Sequence, residues 1–334
     1  MPQKPDIAFI TGGYSGEAEI SYKSAITIEK NLDSTKFNVY KIDITPGGWF
    51  YMAPGGERVA MNRDDFSFTW KGNKTSFDAV FIGIHGTPGE DGKLQGYFDM
   101  VNLPYTSCDA ATSALTMNKR YTVAVAAFGG INVAKSLHLF RHTPVAAETV
   151  LSHLDLPVFV KPNSGGSSIG MSKVTEAAQL PGALEKAFRE DEQVLVEEFI
   201  SGREFTIGVF KTVKEIIVLP MTEIKTKKDF FDFEAKYQGM SEEITPAQAT
   251  PAIAGKVAAA ARKVYEVFNC RGVVRIDFIY NEAKDEPYML EINTVPGQSE
   301  ASIIPQQVKA MGWDLKDFYT ALVEDALSRK VGKK

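Results

Sequence analysis

Cysteine is scarce in this chain, histidine is nearly so, and positive charge has no surplus. The only two cysteines, Cys108 and Cys270, stand 162 positions apart. Two such residues form neither a disulfide framework nor a zinc knuckle, and they read as small buried side chains of a cytoplasmic protein. In that setting the Asn73-Lys74-Thr75 sequon carries no weight. Lys and Arg number 37 against 42 Asp and Glu, a formal charge of −5, so the overall field attracts neither nucleic acid nor an anionic membrane. Long apolar runs are also missing. The longest uncharged stretch, Tyr121–Ala134, is interrupted by Gly129-Gly130 and falls short of the ~20 residues of a membrane span. The first residues, Met1-Pro2-Gln3-Lys4-Pro5-Asp6, lead into a strand pattern with no signal-peptide apolar region. What remains is 334 residues with 44% apolar and 24% charged side chains, enough for two or three soluble domains with real cores.

The first hundred residues alternate between strand and helix. Asp6–Thr11 and Ala79–His85 are short apolar runs that end in glycine, and a helical stretch from about Glu17 to Asn31 follows the first. Runs of this kind suit buried parallel strands in a doubly wound α/β unit, which places ligands beyond the carboxyl ends of its strands. A helix is expected from Ala111 to Phe128, with Asp109 as N-cap and Gly129 beyond its end. Its apolar positions Ala114, Met117, Tyr121, Ala124, Val125 and Phe128 recur at three- and four-residue steps. Strand patterns then dominate, interrupted by one long helix from Thr250 (N-cap) and Pro251 to about Phe268. Three units are expected: 1–115, α/β; 116–195, α+β; and 196–330, α+β.

Two local patterns carry chemistry. Lys161 ends a strand pattern and precedes Asn163-Ser164-Gly165-Gly166-Ser167-Ser168-Ile169-Gly170. Such a loop lets backbone N–H groups and hydroxyls wrap phosphate oxygens, although an ordinary surface loop has the same composition. Gly166–Gly170 also matches a nucleophile elbow, but the histidines are His85, His138, His142 and His153, and none follows Ser168 as that fold requires. The Gly-Lys pairs at 92–93, 255–256 and 332–333 are not followed by Ser or Thr, so there is no Walker loop. The second pattern is Arg275-Ile276-Asp277 followed by Glu291-Ile292-Asn293. Strand alternation puts each outer pair on one face, so neighbouring strands would bring a cation together with three hard oxygen ligands suited to Mg2+. A salt-bridged strand pair is the simpler reading of the same residues. Lys119, Glu197, Glu204 and Lys236-Tyr237 gain meaning only if they surround one nucleotide.

Together with Gly12–Ser21, His85–Gly96, Glu234–Tyr237 and Glu291–Gly297, these patterns resemble the ATP-grasp superfamily, and within it the D-alanine–D-alanine ligases, over nearly the whole chain. The resemblance implies an ATP-grasp architecture and ATP-dependent joining of two D-alanines through a D-alanyl phosphate, for peptidoglycan synthesis. It assigns Glu17, Ser167, Tyr237, Arg275 and Gly297 to catalysis, and His85, Ser302 and Ile303, with Glu17, Arg275 and Gly297, to the amino-acid substrates. ATP would be held by Lys119, Lys161, Ser168, Glu197, Phe199, Ile200, Glu204, Lys236 and Asn293. Asp277, Glu291 and Asn293 would ligate two Mg2+ ions, with Mn2+ as a substitute. A homodimer is also implied, with no nucleic-acid or membrane partner. Closure over the intermediate is expected of the 163–170 loop and of Asp229–Gly239. The Asn163–Gly166 stretch and Phe199, where many relatives carry Trp, depart from the common pattern, and Thr45–Thr75 reads as a variable insert. The rival readings are a D-alanine–D-lactate or D-alanine–D-serine ligase, where Tyr237 argues for the dipeptide because depsipeptide-forming relatives generally lack this tyrosine, and a nucleotide-binding module without turnover.

Overall fold

The computed structural model describes residues 3–143, 145–164, 169–226 and 241–329. Strand β1 (Asp6–Gly12) and helix α1 (Ala18–Asn31) open the chain. Strands β2 (Asn38–Thr45), β3 (Gly48–Met52), β4 (Arg58–Asn62), β5 (Ser67–Trp70), β6 (Asn73–Thr75) and β7 (Ala79–Ile82) follow. They form one sheet in the order β6-β5-β4-β3-β2-β1-β7. The pairs β2–β1 and β1–β7 are parallel, as the buried apolar runs require. Residues 48–75, to which the sequence assigns no role, add an antiparallel extension to that parallel core.

Helices α2 (Lys93–Met100), α3 (Ala110–Met117) and α4 (Lys119–Phe128) come next. The single helix expected over 111–128 is therefore two. Asn118 adopts an extended conformation, and its side chain accepts from the N–H of Tyr121, so it ends α3 and caps α4. The apolar stripe is not the buried face here: Tyr121 is 50% and Phe128 95% exposed, while Thr112, Ser113, Thr116, Thr122 and Ala126 are buried.

Strand β8 (Ser136–Phe140), α5 (Ala147–Leu151), β9 (Val158–Pro162), β10 (Ser172–Val174), α6 (Leu180–Glu190) and β11 (Gln193–Glu198) build a second sheet, ordered β10-β9-β11-β8. The third contains β12 (Arg203–Lys211), β13 (Ile216–Val218), β14 (Thr222–Thr226), β15 (Ser241–Ile244), β16 (Val273–Asn281) and β17 (Glu286–Asn293). Its order is β15-β14-β12-β16-β17, with β13 on β12. Helix α7 (Pro251–Val267), capped by the Thr250 hydroxyl, buries Val257, Ala261 and Val264 in the core of this sheet, as its period predicts. Helices α8 (Ile303–Ala310) and α9 (Leu315–Ser328) close the chain. Phe318, Tyr319, Leu322 and Val323 of α9 pack with Phe9 and Phe81 of the first sheet and Phe210 of the third. Each large side chain buried there contributes about 1.5–3 kcal/mol, so α9 holds the two sheets in a fixed relation. Cys108 and Cys270 are free and buried, as expected.

Candidate active site

A cavity of about 380 Å³ opens where the first sheet meets the third. Alternation and register deliver its acidic wall. In the antiparallel pair β16–β17, Arg275 lies opposite Asn293 and Asp277 opposite Glu291, so all four positions share one face. Arg275 makes a two-pronged contact with Asp277, Nε to Oδ1 at 3.0 Å and a terminal nitrogen to Oδ2 at 2.9 Å. Glu291 is 3.9 Å from the same guanidinium. Burial opposes the arginine's charge, but Asp277 and Glu291 outweigh it and hold its pKa above the usual value. Across the sheet the Thr206 hydroxyl donates to Asp277 Oδ1.

The opposite wall comes from the N-terminal sheet. Glu17 stands at the start of α1, and the segment after β7 folds against it. Gly86 has φ 66°, and any side chain there would collide with the Glu17 carboxylate and the Ser15 hydroxyl. His85 is buried, with Nδ1 2.6 Å from the Val295 carbonyl and Nε2 2.9 Å from the Ser24 hydroxyl. A carbonyl only accepts, so Nδ1 carries the proton and the Ser24 hydroxyl donates to Nε2. That hydroxyl in turn accepts the N–H of Gln298 at 3.0 Å. Burial lowers the pKa of His85 to about 4, so the ring is neutral near pH 7. Glu90 accepts from Gly86 N–H at 2.7 Å and from Val295 N–H at 3.1 Å. Burial raises its pKa to about 7 against the pull of those two bonds, and the Glu17 charge adds to the rise.

Gly297, Ser302 and Ile303 line the same cavity, with Ser302 at the N-cap position of α8 and its hydroxyl 2.7 Å from that of Ser299. Lys119 and Glu204 also reach the lining. Lys119 opens α4, where its N–H donates to the Asn163 carbonyl at 3.1 Å and ties the helix to the end of β9. Of the expected site residues, Glu17, His85, Lys119, Glu204, Arg275, Asp277, Glu291, Asn293, Gly297, Ser302 and Ile303 thus converge on one cavity.

Lys161, Glu197, Phe199 and Ile200 belong to the second sheet and the turn after it, away from this lining. Lys161 and Glu197 pair with each other at 2.5 Å, with side chains only 13% and 9% exposed. The Phe199 ring lies 5.9 Å from that of Phe159 and 4.4 Å from the Lys173 ammonium. Ile200 packs with Ala134 and Tyr288. Ser167, Ser168, Lys236 and Tyr237 lie outside the described residues, as do the Asp229–Gly239 segment and the middle of the 163–170 loop. Sequence reasoning gave no role to Glu90, although it stands in the quoted His85–Gly96 stretch, or to Thr206. The signal for Thr206 is its place in β12, opposite Asp277.

The donor set suits a hard divalent cation. Two carboxylates and a carboxamide oxygen share a face, whereas the Asn293 NH2, buried without a hydrogen-bond partner, is a donor that a phosphate oxygen would satisfy. Among the described residues no group of three or more His, Cys, Asp or Glu side chains is placed to hold a metal by itself. The Asn293 amide and the oxygens of a bound phosphate would complete the ligand set.

A partly doubly wound α/β layer followed by two α+β lobes is the ATP-grasp architecture, and solved structures match it along the chain. The D-Ala:D-Ser ligase VanG of Enterococcus faecalis has a TM-score of 0.87 at 32% identity, covering 96% of this chain and 99% of that one. The D-alanyl-alanine synthetase A of Vibrio cholerae has a TM-score of 0.86 at 28% identity, covering 98% and 100%. The D-ala D-ala ligase N-terminus family matches residues 6–108, and the D-ala D-ala ligase C-terminus family matches residues 120–324. The D-alanine–D-alanine ligase of Parabacteroides distasonis is 43% identical over 330 residues, 99% of this chain and 100% of its own. That of Flavobacterium johnsoniae is 45% identical over 323 residues, 97% and 99%. The chain belongs to the D-alanine–D-alanine ligase family.

Proposed function

We propose that this chain joins two D-alanines into D-alanyl-D-alanine at the expense of ATP, in the cytoplasm, as a step of peptidoglycan synthesis. The observation that carries this reading is the cavity itself. It sets a carboxylate at a helix start (Glu17), a guanidinium (Arg275) and the Gly297–Ile303 turn beside the acidic strand pair.

In this reading the γ-phosphoryl group of ATP passes to a carboxylate oxygen of the first D-alanine and ADP leaves. The second D-alanine's neutral amine attacks the carbonyl carbon, and the proton its nitrogen then loses leaves with the departing phosphate. The C–O bond to phosphate then breaks and inorganic phosphate departs. Glu17 holds the first ammonium. Arg275 and the Gly297 N–H face the oxyanion that forms during attack, a contribution of several kcal/mol where such donors are preorganised. His85, with both ring nitrogens engaged by the protein, shapes the pocket as a neutral strut, and Ser302 and Ile303 bound the second substrate. Lys119 and Lys161, with Ser168 and Lys236, neutralise phosphate charge. Glu197, Phe199 and Ile200 border the adenine, and Glu204 meets the ribose. Asp277, Glu291 and Asn293 would hold two Mg2+ ions, or Mn2+ in their place, which neutralise phosphate charge. Ser167 and Tyr237 orient the site. The same proposal includes a homodimer and three units, 1–115, 116–195 and 196–330. Strand β11 runs on to Glu198, across the second boundary.

A phosphate-release assay with D-alanine, L-alanine, D-serine and D-lactate tests the reading. Release that depends on D-alanine is expected. Equal use of D-serine or D-lactate would move the chain to the rival substrate class, and no release with any of the four would leave a binding module. Glu17→Gln is expected to raise the KM for the first D-alanine about 100-fold, as expected when a charged hydrogen bond is lost, with the KM for ATP within twofold. Equal loss for both substrates would remove Glu17 from its role.

A further inference from the structure

Val295 is gripped at both ends of its backbone by one short segment far away in the chain. Its N–H donates to Glu90 at 3.1 Å and its carbonyl accepts from His85 Nδ1 at 2.6 Å, contacts that span 205 and 210 positions. The other Glu90 oxygen accepts the N–H of Gly86 at 2.7 Å, which closes the 85–90 segment on itself. Gly86 is the residue against which the Glu17 carboxylate packs. Between Val295 and Gly297 stands only Pro296, whose ring fixes φ near −65°. The orientation of Val295 therefore passes to Gly297 through one free backbone torsion, ψ of Pro296.

We infer that Glu90 is a positioning residue for ligation: with His85 it clamps the backbone of Val295 and thereby sets the direction of the Gly297 N–H. This rests on the reading of Gly297 as an oxyanion donor. The chemistry explains why a carboxylate is placed so close to Glu17 despite the repulsion. Two backbone N–H groups arrive on separate oxygens, and only a carboxylate offers two acceptors with no donor. A glutamine would turn an NH2 group toward one of those N–H groups. Both Glu90 oxygens are taken by backbone N–H groups, so it acts through the 295–297 turn.

The test uses the full-length enzyme and the variant Glu90→Gln. The expected result is a kcat lower by about 10–100-fold, the size of effect that ångström-scale misplacement produces, with the KM for ATP within twofold. Affinity for a phosphinate dipeptide analogue of the tetrahedral adduct should fall by a similar factor. Combining Glu90→Gln with His85→Ala should cost less than the product of the two single losses, because both act on one peptide. A kcat within threefold of the unmodified enzyme, strictly multiplicative losses, or equal loss of ATP and analogue binding would overturn the clamp. Hydrogen exchange in the unmodified protein gives a check independent of any variant. The Val295 amide should be protected like the core strands, and exchange at the rate of an exposed loop would also overturn it. Failure of D-alanine-dependent phosphate release in the unmodified enzyme would instead count against the function itself.

Discussion

Two clusters of buried charge sit on different lobes, and they are balanced differently. On the second sheet Lys161 and Glu197 form a one-to-one pair at 2.5 Å. Around the cavity six carboxylates (Glu17, Glu90, Glu204, Glu243, Asp277 and Glu291) share the lining with Lys23, Lys119 and Arg275. Arg275 alone is held in its charged form by Asp277, Glu291 and Glu90. The first cluster satisfies itself. The second cluster's described lining counts six carboxylates to three cations, a donor set that in the proposed function suits a divalent ion and substrate ammonium groups. One cluster is closed as an ion pair, whereas the other presents carboxylates to a cavity.

The sharpest way to break this contrast is Asp277→Asn. Activity should fall at least about 10³-fold through loss of metal, in line with removal of a principal charge-stabilising group. Stability should fall by about 1–3 kcal/mol, because the charged two-pronged bond to Arg275 is lost while Glu291 and Glu90 still face the guanidinium. Phosphate release and urea unfolding on the same sample check both halves. Glu197→Ala should act more strongly on the fold. It strands a buried ammonium and should destabilise by about 3 kcal/mol in urea unfolding. A loss under about 1 kcal/mol would mean that the pair is better solvated than its burial indicates.

A smaller effect lies in pH dependence. His85, lowered to about 4, contributes stability that is complete above its unfolded value near 6.5 and is lost as pH falls toward 4. Glu90, raised to about 7, contributes stability that is complete below 4.5 and is lost as pH rises through 7. The two slopes oppose each other between about pH 4.5 and 6.5. Urea midpoints across that window should be nearly flat from this pair in the unmodified protein. They should fall more steeply on acidification in Glu90→Gln, and on alkalinisation in His85→Gln. Parallel curves for all three proteins would contradict the assignment. The smallest effect expected is at Phe128, which is 95% exposed. Phe128→Ser should shift stability by no more than about 0.5 kcal/mol, although helical periodicity puts this residue on an apolar stripe.

That stripe shows where sequence reading stops. The buried strands were legible because β1, β7 and β16 are apolar runs, and the acidic wall because alternation alone puts Arg275 with Asp277 and Glu291 with Asn293. The break at Asn118 was hidden because the three- and four-residue spacing of Ala114, Met117 and Tyr121 runs through it, and only the capping asparagine marks the join. Residues 48–75 hid their strands because each is short and half-exposed, and so lacks a strong period. Glu90 hid its role because its partner Val295 is 205 positions away, and no local pattern encodes such a contact. Closure over the site was expected of Asp229–Gly239, which lies outside the described residues.

The claim that the cavity's surplus of carboxylates exists to receive cations is tested most directly by counting bound Mn2+ with electron paramagnetic resonance, in the presence of a non-hydrolysable ATP analogue. The unmodified protein should bind two ions per chain, and the double variant Asp277→Asn with Glu291→Gln should lose both at the same total concentration while remaining folded. An unchanged count in that double variant would contradict the account.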